Sequence, residues 1–269
     1  MARRAVADNG VSYITSVGEL NEDRPVLLCL HGASTNSSVF TELATLAAND
    51  GRQLIAPDYL RRGATLADTL CLIAETVADL TGGGASVHAF GHGLGGHILS
   101  TLSPGGGDAP LSVKGVALCG APPLSSMADI IPAYQPRTSA AAAANLFGLS
   151  YAGQPLTRDE ADILMRGLGC VSPYTVPMTR GAQRGDKTAR RLLFEIASTA
   201  DARANIESSD ANVVLFHGSK DNLVGTKYMR DIRTEFAWKG RVIELEGGHL
   251  LPLTRATTIW DHLVSAFDL

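Results

Sequence analysis

Gly91-His92-Gly93-Leu94-Gly95-Gly96 directly follows the apolar run Ser86-Val87-His88-Ala89-Phe90, and this junction decides the fold. An apolar run that enters a glycine-rich turn and continues into a helical pattern indicates a sharp strand-to-helix connection. The glycine spacing matches the motif Gly-x-Ser-x-Gly, which presents a serine at the tip of such a turn. The central residue here is Gly93, so the frame of the motif is present and its serine hydroxyl is absent.

Length, composition and charge are those of an ordinary globular protein. The 269 residues suffice for one large domain or for a core with an inserted second unit. Apolar residues make up 45% and charged residues 19%, and the net charge of −4 gives no reason to expect a nucleic acid or an anionic membrane as partner. No apolar signal region or membrane-spanning run is recognisable. We expect a cytoplasmic protein with a small-molecule substrate, and the oligomeric state stays open.

The four cysteines, Cys29, Cys71, Cys119 and Cys170, show neither a Cys-x-x-Cys motif nor the spacing of a metal site. Because two of them lie in strand-like runs, we expect reduced, mostly buried thiols that pack as small apolar side chains. This expectation agrees with a cytoplasmic setting. Nothing in the sequence implies a metal ion or an organic cofactor.

Strand-like and helix-like segments alternate on both sides of the glycine-rich turn. Hydrophobic patterns predict an opening hairpin within 5–17, strands at 25–30, 53–56, 86–90, 113–119, 213–216 and 241–245, and helices at 39–48, 65–80, from the turn to 102, 225–236 and 254–267. Such alternation predicts a mainly parallel sheet with helical crossovers. Helical patterns at 158–167 and 185–200 and an alanine run at 140–144 interrupt it. We therefore predict an α/β core over 1–121 and 208–269, with a helical cap or lid over 122–207.

Three further segments carry chemistry, and each follows a predicted strand. His31-Gly32-Ala33 ends the first strand of the core, Asp221 comes shortly after the strand at 213–216, and His249 follows two glycines after the last strand. Amides at the first segment and just after the glycine-rich turn can form an oxyanion hole, which here would use Ala33 and Leu94.

With these segments in order, the chain resembles the α/β-hydrolase fold superfamily over essentially its whole length. The segment 90–99 is similar to the nucleophile elbow of small cap-bearing esterases, except that Gly93 stands in place of the nucleophilic serine. The residues at 56–58 resemble that family's segment after the fourth strand, but Tyr59-Leu60-Arg61-Arg62-Gly63 replaces its usual Gly-His-Gly-x-Ser continuation. The resemblance implies a mostly parallel twisted sheet flanked by helices, with a helical cap insertion.

The same resemblance implies roles for individual residues. Asp221 would be the acid and His249 the base of a catalytic triad with position 93 as nucleophile. His92 and Ser34 are expected to shape the substrate pocket, and His31 to support the oxyanion loop.

Plainer alternatives stand beside these roles. An aspartate in a turn and a histidine in a glycine-rich loop are often only loop residues, and Asp129 is a second candidate for the acid. We expect the remaining histidines to be ordinary, satisfied core or surface residues; they are His88, His97, His217 and His262.

Gly93 leaves three functional hypotheses open, because position 93 cannot form an acyl-enzyme without a hydroxyl. In the first, glycine replaces serine as an engineered knockout. In the second, the glycine is natural and His249, oriented by Asp221, acts as a direct base in hydrolysis, elimination or cyclisation. In the third, the chain is a ligand-binding pseudoenzyme. For the enzyme hypotheses, the expected substrates are small, largely apolar esters, thioesters, lactones or related carbonyl compounds.

Overall fold

A computed structural model describes residues 2–21, 23–83, 87–102, 111–134, 141–170, 187–207, 212–235 and 240–269. The strands in chain order are β1 (Arg3–Val6), β2 (Ser12–Thr15), β3 (Val26–Leu30), β4 (Gln53–Pro57), β5 (Val87–His92), β6 (Val113–Cys119), β7 (Asn212–Gly218) and β8 (Arg241–Leu245). They form one eight-stranded sheet in the order β1-β2-β4-β3-β5-β6-β7-β8. β1 and β2 pair antiparallel, as does β2 with β4, and every pairing from β4 onward is parallel.

The helices in chain order are α1 (Thr41–Asn49), α2 (Leu66–Thr81), α3 (Leu94–Ser100), α4 (Ile130–Ala133), α5 (Ala141–Tyr151), α6 (Arg158–Gly167), α7 (Lys187–Thr199), α8 (Ala202–Glu207), α9 (Thr226–Glu235), α10 (Leu251–Thr254) and α11 (Ala256–Phe267). Short 3-10 turns cover Ser37–Phe40 and Met127–Asp129. Among the described helices, none is both long enough and apolar enough to cross a bilayer. The sheet and the helices around it confirm the predicted fold class, a mostly parallel sheet flanked by helices.

The central strands are apolar on both faces because helices cover the sheet on both sides. β3 illustrates this, since Leu27 and Cys29 face one apolar cluster while Val26, Leu28 and Leu30 face the other. The first cluster also contains side chains of α1 and α11, and the second contains side chains of α2, α3 and α9. The sheet thus serves as a rigid support whose strand ends can position loops.

The predicted elements agree with the observed ones in type, with one correction near the C-terminus. The helix predicted over 254–267 is observed as α11 and begins two residues later, because Arg255, with φ −136° and ψ 29°, separates it from the short helix α10. Three cysteines are buried as expected, whereas Cys71 is exposed. Residues 86, 140, 185–186, 208–211 and 236 of the predicted segments lie outside the described residues.

Between β6 and β7 the described residues form α4 to α8 and no strand. We call this stretch the β6–β7 segment. Whether it is a separate cap with the boundaries 122 and 207 stays a prediction.

Candidate active site

The candidate site lies where the carboxyl ends of four parallel strands meet. Strand order changes direction between β3 and β5, because β4 pairs on one side of β3 and β5 on the other. Loops that leave such a switch point diverge and create a crevice. Ala33 and Ser34 follow β3, Gly93 follows β5, Asp221 follows β7 and His249 follows β8.

The turn at Gly93 is fixed by backbone hydrogen bonds from both sides. Gly93 has φ 52° and ψ −119° and joins β5 directly to α3. Its N–H donates to the carbonyl oxygen of Cys119 at 2.9 Å, and the N–H of Gly95 donates to the carbonyl oxygen of His31 at 3.1 Å. The turn is therefore anchored to β6 on one side and to the loop after β3 on the other.

Three glycines of the turn have no room for a side chain. A Cβ at Gly95 would lie 2.1 Å from the carbonyl oxygen of Leu30, and one at Gly91 would lie 2.5 Å from the Cα of Gly96. A Cβ at Gly96 would lie 2.4 Å from the Cβ of Ala121. These glycines permit the close contact between α3 and the strands that the motif requires.

Gly93 differs from its neighbours because a side chain fits there. A Cβ built at Gly93 would lie 3.5 Å from Nε2 of His249 and 3.6 Å from the Cα of Gly32, which are ordinary contacts. A side chain at position 93 would therefore point toward the imidazole of His249.

His249 and Asp221 form a buried hydrogen-bonded pair. Nδ1 of His249 lies 2.8 Å from Oδ2 of Asp221, whose other oxygen accepts the N–H groups of Leu223 at 2.8 Å and Val224 at 3.1 Å. Burial raises the pKa of Asp221, but the charge and hydrogen bond of His249 and the two amides outweigh it and hold that pKa below its ordinary value. The carboxylate stays ionised and keeps the proton of the imidazole on Nδ1, and Nε2 is the ring nitrogen that faces position 93.

The predicted oxyanion amides lie on either side of the same cavity. Ala33 and Leu94 both line it, and neither backbone N–H has a hydrogen-bond acceptor within the described residues. Amides without an internal acceptor are available to a ligand oxygen. The positions thus suit an oxyanion hole.

The loop that carries Ala33 is braced by the segment after β4. The hydroxyl of Tyr59, which is fully buried, donates to the carbonyl oxygen of His31 at 2.6 Å, and the two rings are 4.6 Å apart. Oδ1 of Asp58 accepts the N–H of Ser37 at 2.7 Å. Sequence reasoning missed this brace, although its signal was visible: Tyr59 opens the stretch that departs from the family pattern.

His92 also contacts His249, and the two ring centroids lie 4.7 Å apart. Nε2 of His92 lies 3.1 Å from the carbonyl oxygen of His249, so Nε2 carries the proton and donates it. Burial, with the nearby charge of His249, lowers the pKa of His92 to about 3, and its Nδ1 is buried without a partner in the described part of the chain. His92 is therefore a neutral ring that holds the loop of the base. His92 and Ser34 both line the cavity.

The cavity itself encloses about 260 Å³ and is mainly apolar. The β6–β7 segment supplies one wall, and loops of the sheet supply the other. Its apolar lining residues are Ala33, Leu94, Ile130, Phe147, Leu168, Leu193, Leu223 and Leu250. Its polar lining side chains are Ser34, Thr35, His92, His97, Tyr134 and His249.

Three of these polar residues were not predicted as site residues, namely Thr35, His97 and Tyr134. His97, expected to be an ordinary histidine, lines the cavity, and its Nε2 hydrogen-bonds the hydroxyl of Tyr134. The spacing of His97 four residues after Gly93 could have indicated this, because residues four apart share a helix face. Asp129, the second candidate for the acid, instead contacts Arg203 at 3.2 Å and accepts backbone N–H groups of its own turn.

Comparison with known protein families agrees with this fold. The profile of the Alpha/beta hydrolase family matches residues 27–260. No curated protein matches the sequence. Within the described ranges, no three His, Cys, Asp or Glu side chains converge as a metal site would require.

Three solved structures illustrate the similarity of fold. A serine-to-glycine mutant of the N-acyl homoserine lactonase AidH, complexed with N-hexanoyl homoserine lactone, is 19% identical, with 99% of this chain and 97% of that chain covered and a TM-score of 0.70. The enol-lactonase from Burkholderia xenovorans LB400 is 16% identical, with coverage of 99% and 100% and a TM-score of 0.65. The 2-hydroxy-6-oxo-6-phenylhexa-2,4-dienoate hydrolase from Rhodococcus sp. strain RHA1 is 16% identical, with coverage of 100% and 99% and a TM-score of 0.67. At such identities the likeness concerns the fold alone. Because the family profile spans most of the chain, the protein belongs to the alpha/beta hydrolase family.

Proposed function

We propose that this protein binds small, largely apolar esters, thioesters or lactones and hydrolyses them slowly, with His249 as a direct base because Gly93 offers no nucleophile. Asp221 orients His249, and the amides of Ala33 and Leu94 stabilise the oxyanion. The cytoplasmic location stays a prediction.

One observation carries this proposal: the Cβ direction of position 93 meets Nε2 of His249 at 3.5 Å. A serine hydroxyl on that Cβ would reach the imidazole, as in a nucleophile–base pair. The rest of the arrangement is kept, since His249 retains its 2.8 Å contact to Asp221. The site therefore suits acyl transfer in every respect except the side chain at position 93.

The chemistry without the serine is water attack assisted by a base. Nε2 of His249 takes a proton from a water molecule whose oxygen attacks the substrate carbonyl. The tetrahedral oxyanion that results accepts hydrogen bonds from the backbone N–H groups of Ala33 and Leu94. The intermediate collapses by breaking the bond to the leaving alcohol or thiol, which receives the proton from His249. Residual catalysis of this kind is roughly 10³–10⁴-fold over water in serine proteases that lack their triad, far below a complete triad.

The cavity supports the substrate class. Eight apolar lining residues and a volume of about 260 Å³ suit a short acyl chain or a small ring more than a large or charged group. Ser34 and His92 are the polar groups we expect near the reacting end.

The decisive experiment is to measure hydrolysis of p-nitrophenyl butanoate by the protein as it is and by Gly93→Ser. Serine should raise kcat/KM by at least ~100-fold, because a hydroxyl beside His249 permits covalent catalysis. The serine form should also show an initial burst of p-nitrophenol and an acylated Ser side chain by mass spectrometry. No gain in a folded Gly93→Ser protein would overturn the proposed site.

His249→Ala and Asp221→Asn, each made in both backgrounds, separate the roles. His249→Ala should remove the slow activity of the glycine form as well as the fast activity of the serine form. Asp221→Asn should cost the serine form about 10³–10⁴-fold, because the amide no longer fixes the imidazole tautomer. Slow turnover that survives His249→Ala would contradict the direct-base step.

Ligand binding without turnover is a second candidate function. It is favoured by a site that retains the glycine-rich turn and the His249–Asp221 pair but has no hydroxyl at position 93. The serine-to-glycine AidH structure is described as complexed with N-hexanoyl homoserine lactone. We therefore propose the same lactone as a probe, measured by calorimetry and by product analysis. Binding with no product in either the Gly93 form or the Gly93→Ser form would favour a pseudoenzyme.

A further inference from the structure

His97 is a buried polar side chain that lines the apolar cavity and that the proposed mechanism does not use. It lies on α3, and its backbone N–H donates to the carbonyl oxygen of Gly93 at 3.2 Å. Only 1% of the residue is exposed. Its side chain therefore lies one helical turn beyond the position of the nucleophile.

The hydrogen bonding of His97 is incomplete. Nε2 is bonded to the hydroxyl of Tyr134, whereas Nδ1 has no partner within the described residues. Burial, together with the nearby charge of His249, lowers the pKa of His97 to about 3, so the ring is neutral. A neutral imidazole carries one proton, and a phenol is the better donor of the two groups. We therefore assign the tautomer in which the Tyr134 hydroxyl donates to Nε2 and Nδ1 keeps the N–H.

An N–H group without a partner in an apolar cavity is costly unless a ligand accepts from it. The apolar residues that line the same cavity, among them Ile130, Phe147 and Leu193, offer no side-chain acceptor. A substrate oxygen would satisfy the group. This requirement gives the pocket a chemical preference that its apolar walls alone do not have.

We infer that His97 is a specificity-determining residue whose Nδ1–H binds a second oxygen on the acyl chain of the substrate. This inference rests on the proposed function for the place of the reacting carbonyl. Side chains four residues apart on a helix lie about 5–6 Å from each other. The second oxygen therefore lies a few bonds beyond the carbonyl, and the favoured substrates are acyl compounds with an ether, hydroxyl or keto oxygen near the third carbon.

A matched pair of esters tests this preference in the Gly93→Ser background. p-Nitrophenyl 3-methoxypropanoate and p-nitrophenyl pentanoate have acyl chains of equal length that differ by one oxygen in place of one methylene. The ratio of their kcat/KM values in the parent, divided by the ratio in His97→Phe, should be about 3- to 10-fold, as one neutral hydrogen bond contributes. The division cancels the difference in intrinsic reactivity between the esters.

Two further variants distinguish a hydrogen bond from altered packing. His97→Gln, which supplies an N–H donor, should restore part of the preference, whereas Tyr134→Phe should weaken it, because Nε2 then loses the donor that fixes the tautomer. An unchanged ratio in folded His97→Phe would overturn the inference. Equal loss of activity toward both esters would do so as well, since that is the result of a purely structural role.

A binding measurement makes failure of the inference distinguishable from failure of the proposed function. 4-Methoxybutan-2-one and hexan-2-one differ by the same oxygen and need no catalysis, so their dissociation constants can be measured by NMR titration of the protein as it is. Preference for the methoxy ketone that His97→Phe removes supports the His97 site even if neither form hydrolyses esters. Equal affinities for the two ketones in the parent and in His97→Phe would overturn it even if ester hydrolysis is confirmed.

Discussion

Gly93 and Gly95 lie two residues apart in the same turn, yet the surroundings make opposite demands on them. At Gly95 a Cβ would lie 2.1 Å from a backbone oxygen of β3, so glycine is required by packing. At Gly93 a Cβ has ordinary contacts, and its direction leads to Nε2 of His249. Packing therefore requires glycine at position 95, whereas position 93 has room for a side chain that would face His249.

The difference shows that a motif can keep its architecture without its reactive group. The turn is fixed by contacts of backbone with backbone, which are indifferent to the side chain at position 93. The hydrogen bond between His249 and Asp221 is likewise independent of that side chain. Structure and reactivity are therefore separable at this site, and three measurements can break or sharpen the separation.

The largest effect is expected from alanine at the two positions. Gly95→Ala should lower the free energy of unfolding by about 3 kcal/mol or more, or prevent folding, because the clash is with backbone atoms that cannot move aside. Gly93→Ala should cost only about 1–2 kcal/mol, the strain of a positive φ on an L-residue. Urea denaturation followed by circular dichroism measures both.

Gly10 offers a matched control for the strain at Gly93. It has φ 79° and no atom within 4 Å of a built Cβ, so Gly10→Ala reports backbone strain without packing. Similar losses for Gly10→Ala and Gly93→Ala would sharpen the comparison. Equal destabilisation by Gly93→Ala and Gly95→Ala would break it.

The fold and the proximity of Gly93, Asp221 and His249 could be predicted from the sequence because both depend on local patterns. Strand and helix periodicity, glycine spacing and the order of Gly93, Asp221 and His249 are visible along the chain. The break at Arg255 was missed because Thr254 and Ala256 both suit helices, and only a local backbone angle separates α10 from α11.

The parts of the site that the sequence did not predict depend on contacts between distant segments. Tyr59 reaches His31 across 28 positions, and His97 meets Tyr134 across 37. The departure from the family pattern at Tyr59 and the spacing of His97 from Gly93 mark one member of each pair, but no local pattern identifies its partner, because a tyrosine after a strand or a histidine in a helix has many ordinary places. The side chains that the β6–β7 segment contributes to the cavity wall were not predicted for the same reason, because their places too depend on contacts between distant segments.

The second prediction concerns pH and the two buried histidines that flank position 93. Burial lowers the pKa values of His92 and His97 to about 3, whereas an unfolded histidine titrates near 6.5. Between these values the unfolded chain binds more protons than the folded one, so the free energy of unfolding falls as pH drops below 6.5 and levels off below 3. From pH 7.5 to 5.5 the loss should be about 1 kcal/mol for each histidine.

Urea midpoints at the two pH values measure this loss, and His97→Phe should reduce it by about 1 kcal/mol, the share of one histidine. Burial also lowers the pKa values of His31, His88 and His217, so these residues add to the total loss in the parent. Asp221 does not contribute in this window, because its lowered pKa makes its share of stability disappear only below the usual carboxyl range. A parent protein whose midpoint is the same at pH 7.5 and 5.5 would show that these rings are not the neutral, packed groups of the turn.

The smallest effect is expected where packing and chemistry meet, at the brace of the oxyanion loop. Tyr59→Phe removes the 2.6 Å hydrogen bond to the carbonyl oxygen of His31, which still accepts the N–H of Gly95. Because one partner remains, we expect a loss of only about 1 kcal/mol in the free energy of unfolding. In the Gly93→Ser background, kcat for p-nitrophenyl butanoate should fall about 3- to 10-fold with little change in KM, because the amide of Ala33 contacts the oxyanion more strongly than the ground-state carbonyl.

Tyr13→Phe is the matched control for this change, since the hydroxyl of Tyr13 has no hydrogen bond within the described residues. It should leave kcat, KM and the urea midpoint unchanged. A rise in KM with constant kcat in Tyr59→Phe would mean that the tyrosine shapes substrate binding rather than the oxyanion loop. A fall in kcat alone would show that Tyr59 combines the two roles that Gly95 and Gly93 have separately. Its ring is buried as part of the packing, and its hydroxyl affects the reaction through the backbone that it holds.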